Sequence, residues 1–404
     1  MISRFCLYAV LRNLRFFDAF FVLFLALELD LSYTLIGLVL AYEKIILGVM
    51  EIPLAVVSDR LGRRRALMAS FSLAAISFLV FGFARYTDKP MAVVLMGQTI
   101  YGLADALRTG THKAIVLDWL TLKKRAHDKV SVLSRMRFFS KVSAGASALI
   151  AGILVWSTGQ INVLFFAAAV PTLAAVVMLR SYPDATEGEL TRSRRSGDTK
   201  KTGHLLESFR NRQVWVLLIP SIVFESQLKL AVAYLQPALA AGSQEFNWPV
   251  LGGVGALVVG VYMCVSGGLA GVASLVSQRF VSWSGGVSSA IYRVHLMAAL
   301  ITSLACLGFY LGQGLLGMLL MLGLASLQNM RRPIFVAHLD SVMDSHYRAT
   351  TLSVESQGRS WLYALSSVAL GWVADAFELS GVFLVLALFF WAACILSARR
   401  ARPS

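Results

Sequence analysis

Long apolar runs separated by short polar gaps constrain the fold of this chain more than any other feature. Hydrophobic residues make up 57% of the 404 residues and charged residues only 15%, whereas soluble proteins carry about 25% charged residues. Apolar runs recur at 10–30, 34–57, 66–85, 91–119, 129–155, 161–179, 213–240, 249–277, 288–310, 314–339, 350–374 and 381–398. Because a membrane-spanning helix needs roughly 20 apolar residues, we predict an all-α membrane protein with about twelve transmembrane helices.

Basic residues concentrate in alternate gaps between these runs. They fill the gaps near 60–65, 123–129 and 192–212, whereas the intervening gaps contain acids such as Glu28 and Asp88. Cytoplasmic loops are enriched in Lys and Arg, so we predict a multi-pass protein of the cytoplasmic (inner) membrane with both termini cytoplasmic. The net charge of +15 then reflects topology, and its expected partners are anionic membrane lipids, not nucleic acid.

The longest polar stretch divides the chain into two similar halves. Residues 181–212 are predicted to be a cytoplasmic linker between two six-helix bundles, 1–180 and 213–404. Leu133-Ser134 precedes Gly152 by the same separation at which Leu352-Ser353 precedes Gly371. Such matches indicate two parallel, pseudo-symmetric repeats, an arrangement that places a binding site at the membrane midplane between them.

A basic turn between the second and third runs resembles a known signature. The stretch 55–67 resembles the loop motif G-x-L-x-D-R-x-G-R-R-x-x-L of the major facilitator superfamily (MFS), between helices two and three. The first two motif positions depart from it, as Ala55 and Val57, and the matching residues are Asp59, Arg60, Gly62, Arg63, Arg64 and Leu67. The resemblance implies a twelve-helix, monomeric secondary transporter without enzymatic activity or cofactor. It also implies a gating role for Asp59, Arg60, Gly62, Arg63 and Arg64, in which the arginines pair with an acid on a neighbouring helix end.

Ionisable residues within the predicted spans point to a solute pathway. The third, sixth and twelfth spans carry no Asp, Glu, Lys or Arg, and the ninth carries only Arg293 near one end. This pattern predicts that every third span faces lipid while the others line a polar space. Unpaired bases near the midplane favour an anionic or zwitterionic substrate, because guanidinium forks suit carboxylate and phosphate. The predicted substrate-binding residues are Lys44, Arg108, Lys141, Lys229, Arg331, Arg332 and Arg359. The candidates for proton coupling are Asp18, Glu43, Glu225 and Glu355.

Charge neutralisation is the alternative reading of these residues. Glu225 with Lys229, Glu355 with Arg359 and Asp105 with Arg108 have helical spacing and could pair. Arg331 and Arg332 have no obvious partner in their own helix, and acids on facing helices, such as Asp18 or Glu43, would complete their charge balance. Glu43 and Lys44 are adjacent, so we expect them to point in different directions.

Two other functions stay open at this stage. Proton-coupled drug antiporters of this family carry an arginine where this chain has Gln98, and a Gly-Pro element where it has 147–152, which disfavours efflux of lipophilic or cationic drugs. A sensor or lipid scramblase on the same scaffold would need no solute pathway. His112, Lys113 and Asp118 are expected to be solvated at a helix end, and no catalytic residue or metal site is predicted.

Overall fold

The computed structural model describes residues 1–109, 111–125, 128–182, 212–342 and 348–401, and in these ranges the chain is helical between short turns. The first half contains α1 (Ile2–Asn13), α2 (Tyr33–Leu61), α3 (Arg63–Phe83), α4 (Pro90–Arg108), α5 (Thr111–Leu122), α6 (Lys129–Thr158) and α7 (Val163–Arg180). The second half contains α8 (Arg212–Gln244), α9 (Val254–Leu275), α10 (Ser277–Ser284), α11 (Val287–Tyr310), α12 (Gly314–Val342) and α13 (Arg348–Ala401). The predicted all-α class is confirmed.

Helices of membrane-spanning length coincide with the predicted spans after the first. Among the described residues, eight helices are long and apolar enough to cross a membrane. The 29-residue helices α2 and α12 lie at two further predicted spans, and each is about 43 Å long. The α13 stretch contains non-helical backbone at Phe377 and Glu378, which separates the last two predicted spans.

The first predicted span, 10–30, is not a single helix. The helix α1 ends at Asn13, and short 3-10, α and π turns follow between 16 and 28. The backbone leaves the helical region at Leu14 and Arg15. Arg15 donates to the Tyr101 hydroxyl and lies 2.6 Å from the Asp18 carboxylate, so polar side-chain contacts accompany the break in this largely apolar segment.

The chain divides into two compact units. The first unit contains Met1–Asp30, the described residues between 42 and 182, and Val250–Cys264. The second contains Leu31–Ala41, the described residues between 212 and 249, and those from 265 onward. The bundle boundaries at 180 and 213 stay a prediction, and nearly all of the predicted linker lies outside the described residues.

The repeated glycines mark close helix crossings. A Cβ at Gly152 of α6 would lie 2.7 Å from the Ala256 carbonyl oxygen of α9. A Cβ at Gly371 of α13 would lie 2.3 Å from the Tyr33 carbonyl oxygen at the start of α2. Small residues let helix backbones approach this closely in membrane proteins, so the two sequence repeats carry the same packing feature in the first and second units.

A basic pocket and a buried ion cluster

The signature loop forms a tight turn between α2 and α3. Gly62 adopts a φ of 90°, a conformation that glycine accepts without steric penalty. Arg63 at the start of α3 forms an ion pair with Asp118 of α5, and Arg64 donates to the Tyr182 carbonyl oxygen at 2.7 Å. The expected pairing of a loop arginine with an acid on a neighbouring helix is therefore present. The expectation that Asp118 is solvated is wrong, because its side chain is only 17% exposed.

A pocket in the first unit is lined by basic side chains from four helices. Its volume is about 420 Å³. The basic residues that line it are Arg12 of α1, Arg108 of α4, Lys113 of α5 and Arg137 of α6. Asp105, one turn before Arg108, is its single acidic lining residue and forms an ion pair with Arg108. We call this space the basic pocket.

A buried aromatic pair forms one wall of the basic pocket. The Tyr8 ring stacks on the His112 ring with a centroid distance of 3.4 Å and an interplanar angle of 4°. The His112 Nε2 atom lies 3.1 Å from the Tyr182 hydroxyl, which fixes the orientation of the imidazole. The Tyr8 hydroxyl is buried beside Arg108, and its proton has no acceptor in the described part of the chain. The expectation of a solvated His112 is wrong, because packing against α1 buries the ring.

Glu43, Lys44 and Lys141, which were also predicted as site residues, lie outside this lining. Lys44 lies 2.6 Å from the Glu43 carboxylate, so the expectation that adjacent Glu43 and Lys44 diverge is wrong; their long side chains bend toward each other. Lys141 is exposed one turn beyond Arg137, and the pocket lining ends at Ser140. The Asp59 side chain lies outside the described residues.

The second unit contains a compact ion cluster of three arginines and two glutamates. Glu225 of α8 accepts hydrogen bonds from Arg331 and Arg332 of α12, each at 2.8 Å, and from Arg359 of α13. Arg332 also donates to both Glu355 oxygens, at 2.7 and 2.9 Å. Side-chain exposure is 0% for Arg331 and Glu355 and 3% for Glu225. We call these five residues the ion cluster.

Arg331 is held on all sides by polar and aromatic groups. It donates to the Ser221 hydroxyl at 3.1 Å, and Ser221 donates to Glu355 at 2.6 Å. Its guanidinium lies over the Phe224 ring at 4.7 Å and near the Phe335 ring at 5.3 Å. Cation–π contacts of this kind stabilise a desolvated guanidinium.

The space beside the ion cluster is small. A cavity of about 20 Å³ lies between Ser221, His295 and Arg331, which is room for about one water molecule. His295 is fully buried, and its Nδ1 atom lies 2.7 Å from the Ser397 hydroxyl. The cavity therefore has no space for an organic solute beside Arg331.

The partners of the cluster differ from those expected from helical spacing. Arg331 and Arg332 find their acids in Glu225 and Glu355, on two other helices, where Asp18 and Glu43 were the expected acids. Arg359 bonds Glu225 of α8. Lys229 is exposed on α8. Charge neutralisation by facing helices is therefore the observed arrangement around Arg331 and Arg332.

The sequence matches the family described as Major Facilitator Superfamily over residues 2–359. The chain belongs to this superfamily.

Solved structures of MFS transporters share the fold over their whole length. The nucleoside transporter NupG has a TM-score of 0.80 at 12% identity, covering 100% of this chain and 99% of that one. A D-xylose-proton symporter has a TM-score of 0.78 at 13% identity, with 100% and 98% covered. The inward-open xylose transporter XylE from E. coli has a TM-score of 0.70 at 15% identity, with 97% and 96% covered. None of the curated protein sequences matches this chain.

The protein is a multi-pass membrane transporter of the MFS and not an enzyme. It performs secondary transport of a small solute. The predictions of superfamily and fold class are confirmed, whereas the assignment of individual residues to substrate and proton stays a prediction.

Several residues of these two sites were not predicted from sequence to be site residues. They are Tyr8, Arg12, Lys113 and Arg137 in the basic pocket, and Ser221, Phe224 and His295 around the ion cluster. The sequence does contain a pattern that could have revealed the basic pocket: polar residues recur three or four positions apart. The pairs are Tyr8 and Arg12, Arg108 and His112, and Arg137 and Ser140. The first and third pairs each lie on one helix face, whereas Arg108 ends α4 and His112 lies in the first turn of α5.

Proposed function

We propose that this transporter moves a small organic anion or zwitterion by alternating access and binds it in the basic pocket. The proposal rests on one observation: the basic pocket combines enough volume for a small solute with an excess of positive charge. Ligand pockets usually have volumes of about 300–1,000 Å³, and the basic pocket measures about 420 Å³. It presents four basic residues and one acid.

The ion pairs of the lining residues show that the pocket has an excess of positive charge. Arg108 is committed to Asp105. Arg12, Lys113 and Arg137 make no ion pair with any acid among the described residues. These three side chains are exposed to the open pocket. An anion that enters it would be attracted by several positive charges at once, so these bases favour an anionic occupant. In the ion cluster, by contrast, every arginine already has a carboxylate partner.

We further propose the proton as the coupling ion, with Glu225 and Glu355 as the carboxylates that accept it. Glu225 accepts from three guanidinium groups and Glu355 from Arg332 and Ser221. Protonation of either acid would increase the buried positive charge and weaken the arginine–carboxylate hydrogen bonds, so the arginines would have to bond other acceptors. A proton could thereby shift the balance between two helix arrangements. Asp18 and Glu43 are weaker candidates because their side chains are less buried, with exposures of 48% and 16%.

The proposed placement is the cytoplasmic membrane, with both termini and the basic loops on the cytoplasmic side. Positive loops support this orientation. The basic pocket, which contains Lys113 and lies close in sequence to the basic 123–129 loop, would then open toward the cytoplasmic side. A monomer is sufficient for this function.

The test is counterflow in proteoliposomes with a panel of labelled anions, zwitterions, sugars, nucleosides and lipophilic cations. We expect flux of an anionic or zwitterionic solute, with a fall of about tenfold or more in Arg108→Gln. Arg180→Gln, which removes an exposed arginine at the end of α7, is the matched control and should transport normally. Flux of cations alone would contradict the proposal, and lipid scrambling without solute flux would favour the scramblase alternative.

Proton coupling has its own readout. We expect an imposed pH gradient to drive uptake against the solute gradient, and a protonophore to abolish the accumulation while counterflow continues. Accumulation that survives the protonophore would exclude the proton as the coupling ion without affecting the choice of solute.

A further inference from the structure

The charges of the basic pocket constrain its ligand beyond a single negative charge. Arg12, Lys113 and Arg137 reach the pocket from three different helices, and Arg108 enters beside Asp105 from a fourth. A monoanion would neutralise one of the unpaired bases and leave the others as like charges in one cavity. These bases are exposed in the open pocket, so water moderates their mutual repulsion, and a second negative charge on the ligand would reduce it further.

We propose that the ligand of the basic pocket carries at least two negative charges, as a phosphomonoester or a dicarboxylate does. This inference rests on the proposed function and narrows its substrate class. The shared chemistry is that of a dianion held between Arg12, Arg108 and Arg137, with Lys113 as a further base in the lining. Guanidinium groups approaching from different helices can each contact a different oxygen of such a ligand.

Tyr8 is a second, independent sign of a polar ligand. Its side chain is only 2% exposed and lines the pocket. Arg108 is the neighbour that can donate to its hydroxyl, and the proton of this hydroxyl has no acceptor within the described ranges. Buried hydroxyl groups are normally hydrogen-bonded. Arg12 and Arg108 both lie within electrostatic reach of this hydroxyl. A bound oxyanion would satisfy the hydroxyl, which would donate to it.

The ring of Tyr8 is fixed before any ligand arrives. It stacks on His112, and His112 is bonded to Tyr182. Phe5 packs edge-on against the His112, Trp119 and Tyr182 rings at 5.6 to 5.8 Å. A rigid donor loses little conformational entropy on binding, so the aromatic wall positions the hydroxyl for an oxyanion.

The test compares two tetrahedral anions of similar shape and different charge. We expect purified full-length protein to bind sulfate at least about tenfold more tightly than perchlorate in isothermal titration calorimetry. Methyl phosphate supplies the same comparison in one molecule. Since its second proton, like that of a phosphorylated side chain, is lost near pH 6, its affinity should rise between about pH 5 and pH 7.5. Sulfate, a dianion at both pH values, should show no such rise.

Paired variants identify the site of binding. Arg137→Gln should weaken sulfate binding by about tenfold or more, since it removes one charge-assisted contact. Arg135→Gln removes an exposed arginine from the same helix outside the pocket lining and should change the affinity by less than about twofold. Tyr8→Phe keeps the stacked ring and loses only the hydroxyl, so it should weaken sulfate binding by about fivefold.

The outcomes separate this inference from the proposed function. Equal affinities for sulfate and perchlorate, or equal losses in Arg137→Gln and Arg135→Gln, would overturn the dianion and leave anion transport to the counterflow assay. Tight sulfate binding without counterflow of any solute would support the dianion site and overturn transport. Nanodiscs distinguish the source of the dianion: competition by phosphatidic acid at low mole fraction would identify a lipid headgroup, and its absence a soluble ligand.

Discussion

The basic pocket of the first unit and the ion cluster of the second contain the same types of charged residue but differ in charge balance and in free volume. In the ion cluster, three arginines share two glutamates, and the adjoining cavity has a volume of about 20 Å³. The basic pocket has four basic lining residues and one aspartate, which pairs with Arg108, around a volume of about 420 Å³. Charge balance and free volume together, and not the presence of arginine alone, distinguish a candidate binding site from an internal ion pair.

The largest expected effect comes from removing an acid of the ion cluster. Glu225→Gln should destabilise the protein by about 3–5 kcal/mol, because it leaves three guanidinium groups with one carboxylate in a buried site. The measurement is the unfolding temperature of purified protein in detergent. Glu245→Gln, an exposed glutamate just after the end of α8, is the control. Equal unfolding temperatures for the two variants would show that the cluster is not a structural element.

A smaller effect is expected at the hydroxyl that connects Arg331 with Glu355. Ser221→Ala should lower the free energy of unfolding by about 1 kcal/mol, since both partners keep other contacts. The Arg331–Glu225 and Arg332–Glu355 bonds remain in this variant. A loss as large as that in Glu225→Gln would mean that the hydroxyl, and not charge balance, holds the cluster together.

The smallest effect sharpens the contrast, because it removes an acid from the other region. Asp105→Asn should leave the unfolding temperature nearly unchanged and strengthen sulfate binding by about threefold, since it releases Arg108 toward the pocket. Titration calorimetry beside the wild type measures the change. Weaker sulfate binding in Asp105→Asn would show that the aspartate orients Arg108 for the ligand.

The sequence predicted the fold from features that depend on local composition. Apolar runs of spanning length, the basic loops and the motif around Arg63 depend on residues close together in the chain. The break after Asn13 was missed because the contact that accompanies it, between Arg15 and Tyr101, joins residues far apart in sequence.

The candidate site was less predictable, for the same reason. Arg331 and Arg332 were singled out as bases within a predicted span, but their partner acids lie on other helices, and one sequence does not specify which helices adjoin. Arg12 was overlooked as a ligand because in sequence it only interrupts an apolar run. The burial of His112 arises from the Tyr8 ring, which a helix-end position beside Lys113 does not reveal.

Direct localisation of a bound dianion tests the central claim most directly. Selenate has the shape and charge of sulfate, and its selenium gives an anomalous X-ray signal. A crystal structure with selenate should show a peak between Arg12, Arg108 and Arg137, and none beside Arg331. A peak at the ion cluster, or an empty basic pocket at a selenate concentration that saturates binding in solution, would contradict the account.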